Sequence, residues 1–475
     1  MTEQHTLTLD GEAMRKLGYQ MIDAVVAHHL RQSEKLPVST ATRAEMDALL
    51  LEDAPEHPTD PQKTMQFIVD EVLPKSTLLS HPKSFAFVPG PSNYVSVIGD
   101  ALATGYNVFS GSWVSSPVAA GLEIATIQWL LQWFGFPKKK GGGIFTSGGS
   151  MANLTALAMA RNMKCGNDFS KAIIYLSDQT HSSNIKAIRI LGFQKEQIRI
   201  IPTDSDMRLS LNKLKNCIAK DRLNGDLPFC LIGNAGTTNT GSVDPLPAMA
   251  ALCKKEDLWF HIDGAYGGAA VLSPQGKAAL KGISKADSLT VDPHKWLFQP
   301  YEMGCLLVRN YKHLSHTFTE RPEYLKDIEG NDSEINFYDM GVQLTRRFNA
   351  LKFYMSVKTF GLKAFREAVG SGIALAEQLE QHLRKSKHWE VVFPATLAVI
   401  NFRYNPMDQG LSEAAIDQLN QTISDKVMAS QQALLATTLL HDQVVLRMCL
   451  INPRTTFDDV TTILTLCEGF AEEAL

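Results

Sequence analysis

Short apolar runs alternating with amphipathic stretches fill the middle of the chain. β-rich runs occur at AIIYLS (172–177), IRIIP (198–202), FCLIGN (229–234), LWFHID (258–263), SLTV (288–291) and GCLLVR (304–309). Helical spacing marks MANLTALAMARNM (151–163), LNKLKNCIAK (211–220) and PLPAMAALCKKED (245–257) between the earlier runs. Strand–helix–strand alternation packs as a mainly parallel sheet covered on both faces, so an α/β domain is predicted over about 79–370. Ahead of it, MRKLGYQMIDAVVAHHLRQ and PQKTMQFIVDEVLP carry apolar positions at helical period without any strand pattern. Two such helices bury little by themselves, so residues 1–78 are expected to clamp onto a second subunit. After the domain, helices mix with the short strands AVINFRY (398–404) and VVLRMCL (444–450), which predicts a small α+β domain over 371–475.

Composition changes this picture little. The 475 residues exceed what one core usually supports. Hydrophobic residues make up 44% and charged residues 20%, with a net charge of −4, so nothing draws the chain to nucleic acid or an anionic membrane. There is no apolar run of about eighteen residues, and MTEQHTLTLDGEA is too polar for a signal peptide. Seven cysteines without C-x-x-C spacing (165, 217, 230, 253, 305, 449 and 467) read as reduced thiols, so a cytoplasmic protein is expected.

Candidate chemistry lies where the apolar runs end, the place where ligands bind in such sheets. In ADSLTVDPHKWLFQPYEMGCLLVRN (286–310) a strand ends at Asp292, and Pro293 keeps Lys295 out of a helix. A Schiff-base lysine needs an amine beside an aldehyde and partly desolvated, which lowers its pKa. A lysine that buries its stem and leads its ammonium to water fits the same pattern. In LWFHIDGAYGGAA (258–270), Asp263 ends a strand and suits a carboxylate that keeps a pyridine nitrogen protonated; it equally suits a helix cap. His261, Asp263 and His294 together pose a metal alternative, without dedicated ligand spacing. GGIFTSGGSMANLTALAMA (142–160) places Gly148, Gly149 and Ser150 at a helix N-terminus, whose free N–H groups bind phosphate, although such turns are common. His181 in LSDQTHSSNIKAIRIL would stack on a flat ring or hydrogen-bond its own loop. Thr237 and Thr238 in GNAGTTNTGSVDP would reach a ring hydroxyl or make a polar turn. Their order along successive strand ends suits one flat, phosphorylated, nitrogen-containing cofactor.

At these residues the chain resembles the group II pyridoxal 5′-phosphate (PLP)-dependent amino-acid decarboxylases. The likeness is in particular to the aromatic L-amino-acid decarboxylases, bacterial tryptophan decarboxylases included. It runs from about residue 75 almost to the C-terminus, through HPKSFAFVPGPSN, SGGSMANLTAL, SDQTHSS, AGTTNTGS, HIDGAYGG, DPHKWL, RPEYLKD, LTRRFNALKFY and VVLRMCLINP. The resemblance implies an aspartate-aminotransferase-type fold (fold type I) and a homodimer with its active site at the interface. It makes Lys295 the lysine that carries PLP and Asp263 the partner of the pyridine nitrogen. His181 would stack on the ring and Ala265 would pack on its other side. Gly149, Ser150 and His294 would hold the phosphate, with Thr237 near the ring hydroxyl. Asp292 departs from the asparagine of animal members, and an ionised aspartate there would repel phosphate. Tyr324 matches the tyrosine of the family's catalytic loop and would protonate the substrate α-carbon; members with phenylalanine there make aldehydes. Phe87, Pro89, Gly90, Phe109, Trp113 and Tyr338 fall in segments similar to the substrate pocket. Aromatic walls suit tryptophan, phenylalanine or tyrosine and leave a distal carboxylate unneutralised. The alternatives are an aldehyde synthase, an aminotransferase of the same fold using Arg346, Arg347 or Arg447, or a fold relative that only binds.

Overall fold

A computed structural model describes residues 7–88, 90–320 and 334–475. Seven strands form the main sheet: β1 (Gly142–Thr146), β2 (Ala172–Ser177), β3 (Ile198–Ile201), β4 (Leu227–Asn234), β5 (Trp259–Asp263), β6 (Ser288–Val291) and β7 (Gly304–Val308). Their order is β1-β7-β6-β5-β4-β2-β3, and only β7 runs against its neighbours. Every residue of β2, β5, β6 and β7 is buried, as expected where helices cover both faces, and this is why these strands read as continuous apolar runs. Alternation along β2 sorts its side chains between two cores. Ile173 and Tyr175 pack with Ile127, Leu130, Leu214 and Met249 on one face, while Ile174 and Leu176 pack with Ala156, Met159 and Ile188 on the other.

A second sheet, β8 (Trp389–Thr396), β9 (Val399–Tyr404), β10 (Ala436–Leu440) and β11 (Gln443–Cys449), is antiparallel in the order β10-β11-β9-β8. Phe402, Leu446 and Met448 pack there against helices Glu413–Ala429 and Phe457–Glu472. The helix Asn349–Leu383 serves both parts. Its Phe353, Phe365, Val369 and Ile373 belong to the first core of the main sheet, and Ala376, Leu379 and Leu383 to the core of the small one. Residue 370 therefore lies inside a helix shared by two cores. Gly361, at φ +70°, breaks the helical path within it, a conformation that favours glycine.

Helices Gly11–Leu30, Arg43–Leu50 and Pro61–Phe67 have no buried residue, and Met14, Tyr19, Met21, Ile22, Leu30 and Phe67 are exposed. The last of these helices runs on through a π turn at Ile68–Val72 into a 3-10 turn that contains Pro74. No helix among the described residues is long and apolar enough to cross a membrane.

One buried ion pair fastens the main sheet to its cover. Arg346 donates to both carboxylate oxygens of Glu123 at 3.1 and 2.6 Å and to the Phe145 carbonyl at 2.9 Å. Glu123 also accepts the Phe145 N–H at 2.9 Å. Both side chains are buried, so removing one partner strands a charge in the interior. Arg346→Met is expected to lower stability by about 3–5 kcal/mol, read as a lower urea midpoint; an unchanged midpoint would contradict the pair's role.

Candidate active site

The carboxyl ends of β1, β2, β4, β5 and β6 converge on a cavity of about 460 Å³. All eight cofactor candidates line it: Gly149, Ser150, His181, Thr237, Asp263, Ala265, His294 and Lys295. Each follows a strand end, so the sheet supplies the convergence and the loops supply the chemistry.

Asp263 is the most heavily supported of these groups. Its Oδ2 accepts from Asn153 Nδ2 at 2.9 Å and Asn184 Nδ2 at 2.7 Å, and its Oδ1 accepts the Ala265 N–H at 3.1 Å. The donors set the orientation of everything behind them. Asn153 spends its Nδ2 on Asp263, so its Oδ1 faces His261 Nε2 at 3.1 Å and needs a proton there. His261 Nδ1 then accepts from Ser288 Oγ at 2.9 Å, which itself accepts from Trp259 Nε1 at 2.9 Å. This directional chain fits a neutral imidazole, and burial drives His261 down from 6.5 to about 4. Burial opposes charge on Asp263 as well, yet its pKa is lowered. The neighbouring His261, then Lys295, the Ala265 N–H and the Asn184 amide favour its ionised form. Neither Asn153 nor Asn184 was singled out from sequence. The available signal was a lone amide among the apolar residues of MANLTALAMA.

Lys295 sits on the turn after β6, and its Nζ lies 3.0 Å from Asp292 Oδ2. Sequence reasoning expected desolvation to lower its pKa. Burial does work that way, but Asp292 and then Asp263 outweigh it, and the pKa is raised. His294 Nε2 lies 3.6 Å from the same Asp292 oxygen, and its Nδ1 accepts the Met303 N–H at 3.1 Å. Burial pushes the His294 imidazole down against the pull of Asp292. Gly90 backs this turn: a Cβ on it would fall 1.9 Å from the Lys295 carbonyl oxygen.

Helix Gly149–Cys165 begins at the cavity, and the Gly149 and Ser150 N–H groups find no acceptor among the described residues. A Cβ on Gly149 would come 2.8 Å from Asp292 Oδ2 and 3.2 Å from the Ala265 Cβ, so only glycine leaves the helix end open. His181 caps helix Ser182–Ile190 through Nδ1, accepting from Ser183 N–H, while its ring lines the cavity. The two readings of this histidine, stacking and loop bonding, are therefore compatible. Thr237 Oγ1 pairs with Thr240 Oγ1 at 2.9 Å. Glu302, not singled out from sequence, also lines the cavity.

The substrate candidates do not join this group. Phe87 is 65% exposed with φ +59°, and its carbonyl accepts from Arg447 Nη1 at 2.6 Å. Phe109, Trp113 and Tyr338 gather elsewhere: Tyr338 N–H donates to the Gly111 carbonyl, Trp113 N–H to Asn336 Oδ1, and the Phe109 ring abuts Gly111. None of the four lines the Lys295 cavity. Pro89 and Tyr324 lie outside the described residues. Arg346 is committed to Glu123, Arg347 to Asp100 at 2.9 Å, and Arg447 also donates to the Thr238 carbonyl. His261 spends both ring nitrogens on Asn153 and Ser288, and no cluster of three or more metal-ligating side chains exists among the described residues.

Fold and cavity define an α/β protein in which an open helix N-terminus, a buried carboxylate and a lysine face one cavity. The chain belongs to the family of the pyridoxal-dependent decarboxylase conserved domain, whose pattern it matches over residues 44–405. It is 47% identical to an aromatic-L-amino-acid decarboxylase of Bacillus atrophaeus, over 98% of this chain and 97% of that one. It is 30% identical to a phenylacetaldehyde synthase of Arabidopsis thaliana, over 94% and 93% of the two chains. Its fold is similar to the crystal structure of Oryza sativa TDC with PLP and tryptamine, with a TM-score of 0.94, 28% identity and coverage of 98% and 99%. Pyridoxal phosphate is the family's cofactor, and the residues present fit it. The open helix end and His294 suit the phosphate, Asp263 the pyridine nitrogen and Lys295 the aldehyde.

His261 gives the site a measurable acid sensitivity. Below its ordinary 6.5 the unfolded chain takes up a proton that the folded chain refuses until about 4. The corresponding stability is complete above 6.5 and drains as pH falls towards 4. His261→Gln is expected to flatten the fall of the unfolding free energy from urea titrations between pH 7 and 5 by up to about 1.4 kcal/mol per pH unit; identical slopes would refute a buried neutral His261.

Proposed function

We propose that this protein removes the α-carboxylate of an aromatic L-amino acid as CO2 and releases the arylalkylamine. The observation that carries this is the near full-length 47% identity to an aromatic-L-amino-acid decarboxylase, joined to a cavity holding a lysine, a buried carboxylate and an anion cradle. Bound pyridoxal phosphate supplies an electron sink for the pair left when the carboxylate departs. The chain's own residues do the remaining work. Lys295, whose Nζ lies at the cavity, would hold the cofactor through its aldehyde. Asp263, its charge fixed by Asn153, Asn184 and the Ala265 N–H, keeps a proton at the pyridine nitrogen. Gly149, Ser150 and His294 would hold the phosphate, His181 and Ala265 would flank the ring, and Thr237 would lie towards its hydroxyl. The pocket would work mainly by orienting the substrate, which selects the bond that breaks.

The family likeness supports a homodimer with its active site at the interface, and Phe87, Pro89, Gly90, Phe109 and Tyr338 are assigned to the substrate pocket on their motifs alone. The unburied N-terminal helices support the same assembly. Seven free cysteines suit the reducing cytoplasm. Tyr324 is assigned as proton donor to the α-carbon on its motif alone. Arg346 is held by Glu123 and Arg347 by Asp100, which disfavours these two as the guanidinium an aminotransferase would use for the substrate carboxylate.

CO2 release is expected from tryptophan, phenylalanine or tyrosine, with the amine identified by mass, and not from glutamate or aspartate; keto acid without CO2 would overturn the assignment. Borohydride reduction should fix the cofactor on Lys295 in a peptide map. Tyr324→Phe is expected to divert turnover towards aldehyde, peroxide and ammonia, and an unchanged product ratio would remove Tyr324 from the proton transfer.

A further inference from the structure

One buried charge has no task in the proposed chemistry. Asp292 is 2% exposed, and its Oδ1 has no hydrogen-bond partner among the described residues. Its Oδ2 lies 3.0 Å from Lys295 Nζ and 3.6 Å from His294 Nε2. The same oxygen would stand 2.8 Å from a Cβ on Gly149, at the mouth of the helix whose Gly149 and Ser150 N–H groups are open. A carboxylate there already meets His294, which an incoming phosphate would use, and Lys295, which would hold the aldehyde beside it. An anion nest accepts one anion readily and a second only against Coulomb repulsion, which is large where water is excluded.

We propose that Asp292 is a positioning residue that acts as a resident competitor of the cofactor's phosphate. It keeps the Lys295 ammonium and the cradle ordered while the cofactor is away and weakens cofactor retention once it is bound. This rests on the pyridoxal phosphate site described above. The raised pKa of Lys295, for which Asp292 is the largest favourable cause, is consistent with the same contact. Asp263 and Glu302 also bring carboxylates to the cavity wall, but among the described residues it is Asp292 that pairs with both Lys295 and His294. The outcome is an enzyme in exchange with free cofactor, its affinity set by one side chain. Asparagine at this position has nearly the same shape, no charge and an N–H to offer.

Calorimetry on the cofactor-free full chain decides the matter with three probes: inorganic phosphate, pyridoxal phosphate, and pyridoxal, which lacks the phosphate. Asp292→Asn should bind the first two about tenfold or more tightly than the parent, while pyridoxal gains by a clearly smaller factor. Dilution of the loaded variant should also release cofactor more slowly. Asp292→Ser, which removes the charge with a different side chain, should move affinity the same way if the asparagine variant folds poorly. No gain for phosphate, or an equal gain for pyridoxal, overturns the proposal. Borohydride reduction and peptide mapping of the same samples report separately whether Lys295 carries the cofactor. A failure of that assignment therefore cannot be mistaken for a failure of Asp292, which the phosphate titration tests without it.

Discussion

A carboxylate can be kept ionised at the buried end of a strand only if donors meet its lone pairs. Asp263 satisfies this through side chains from two helices and one backbone N–H, and the rest of the site takes its spacing from that demand. Asn153 lies one helical turn beyond Gly149, so the helix that opens towards an anion is the helix that grips the carboxylate. Asn184 ties in the helix that His181 caps. Thr290 of β6 donates to Asn153 Oδ1 at 2.6 Å, which carries the constraint to the strand leading to Lys295. The open helix end, the cavity-lining histidine, the carboxylate and the strand leading to the lysine are thus joined by one polar network rather than set by four independent loops.

Around that network the protein is apolar, and the two faces of the sheet take different partners. The small sheet contributes no residue to the cavity lining, yet it reaches the loops that do. Arg447 of β11 donates to the carbonyls of Thr238, which lines the cavity, and Phe87, and Asn401 of β9 donates to the Asn239 carbonyl at 3.1 Å. These bonds join side chain to backbone, so they fix loop paths without adding charge to the cavity.

Much of this was legible in the chain. Buried parallel strands announce themselves as unbroken apolar runs, and β2, β4, β5, β6 and β7 lie where those runs fall. β8 was less visible because its faces are partly exposed, Pro394 interrupts it, and its register with β9 shifts. The convergence of the candidate residues on one cavity was readable because each lies at or just after a strand end. Asn153 and Asn184 were not, because a sequence shows an amide in a helix but not the carboxylate it faces. The direction of the Lys295 shift was missed for a related reason: burial is suggested by sequence, whereas a 3.0 Å approach to Asp292 is a fact of three dimensions. Nor does a sequence tell an aromatic side chain that serves its own cavity from one that does not, as Phe109 and Tyr338 illustrate.

The stretch around Gly90 makes the lysine turn part of a larger mechanical linkage. Phe85 and Ala86 N–H groups hang on the Leu434 carbonyl, Arg447 holds the Phe87 carbonyl, and Asn93 grips the Phe298 carbonyl through both backbone and side chain. Between these anchors Gly90 bears directly on the Lys295 carbonyl with no room for a methyl group. Leu434 and Arg447 thus hold the residues before Gly90 and the Phe298 carbonyl those after it, so the small sheet forms part of the seat against which the Lys295 backbone is set.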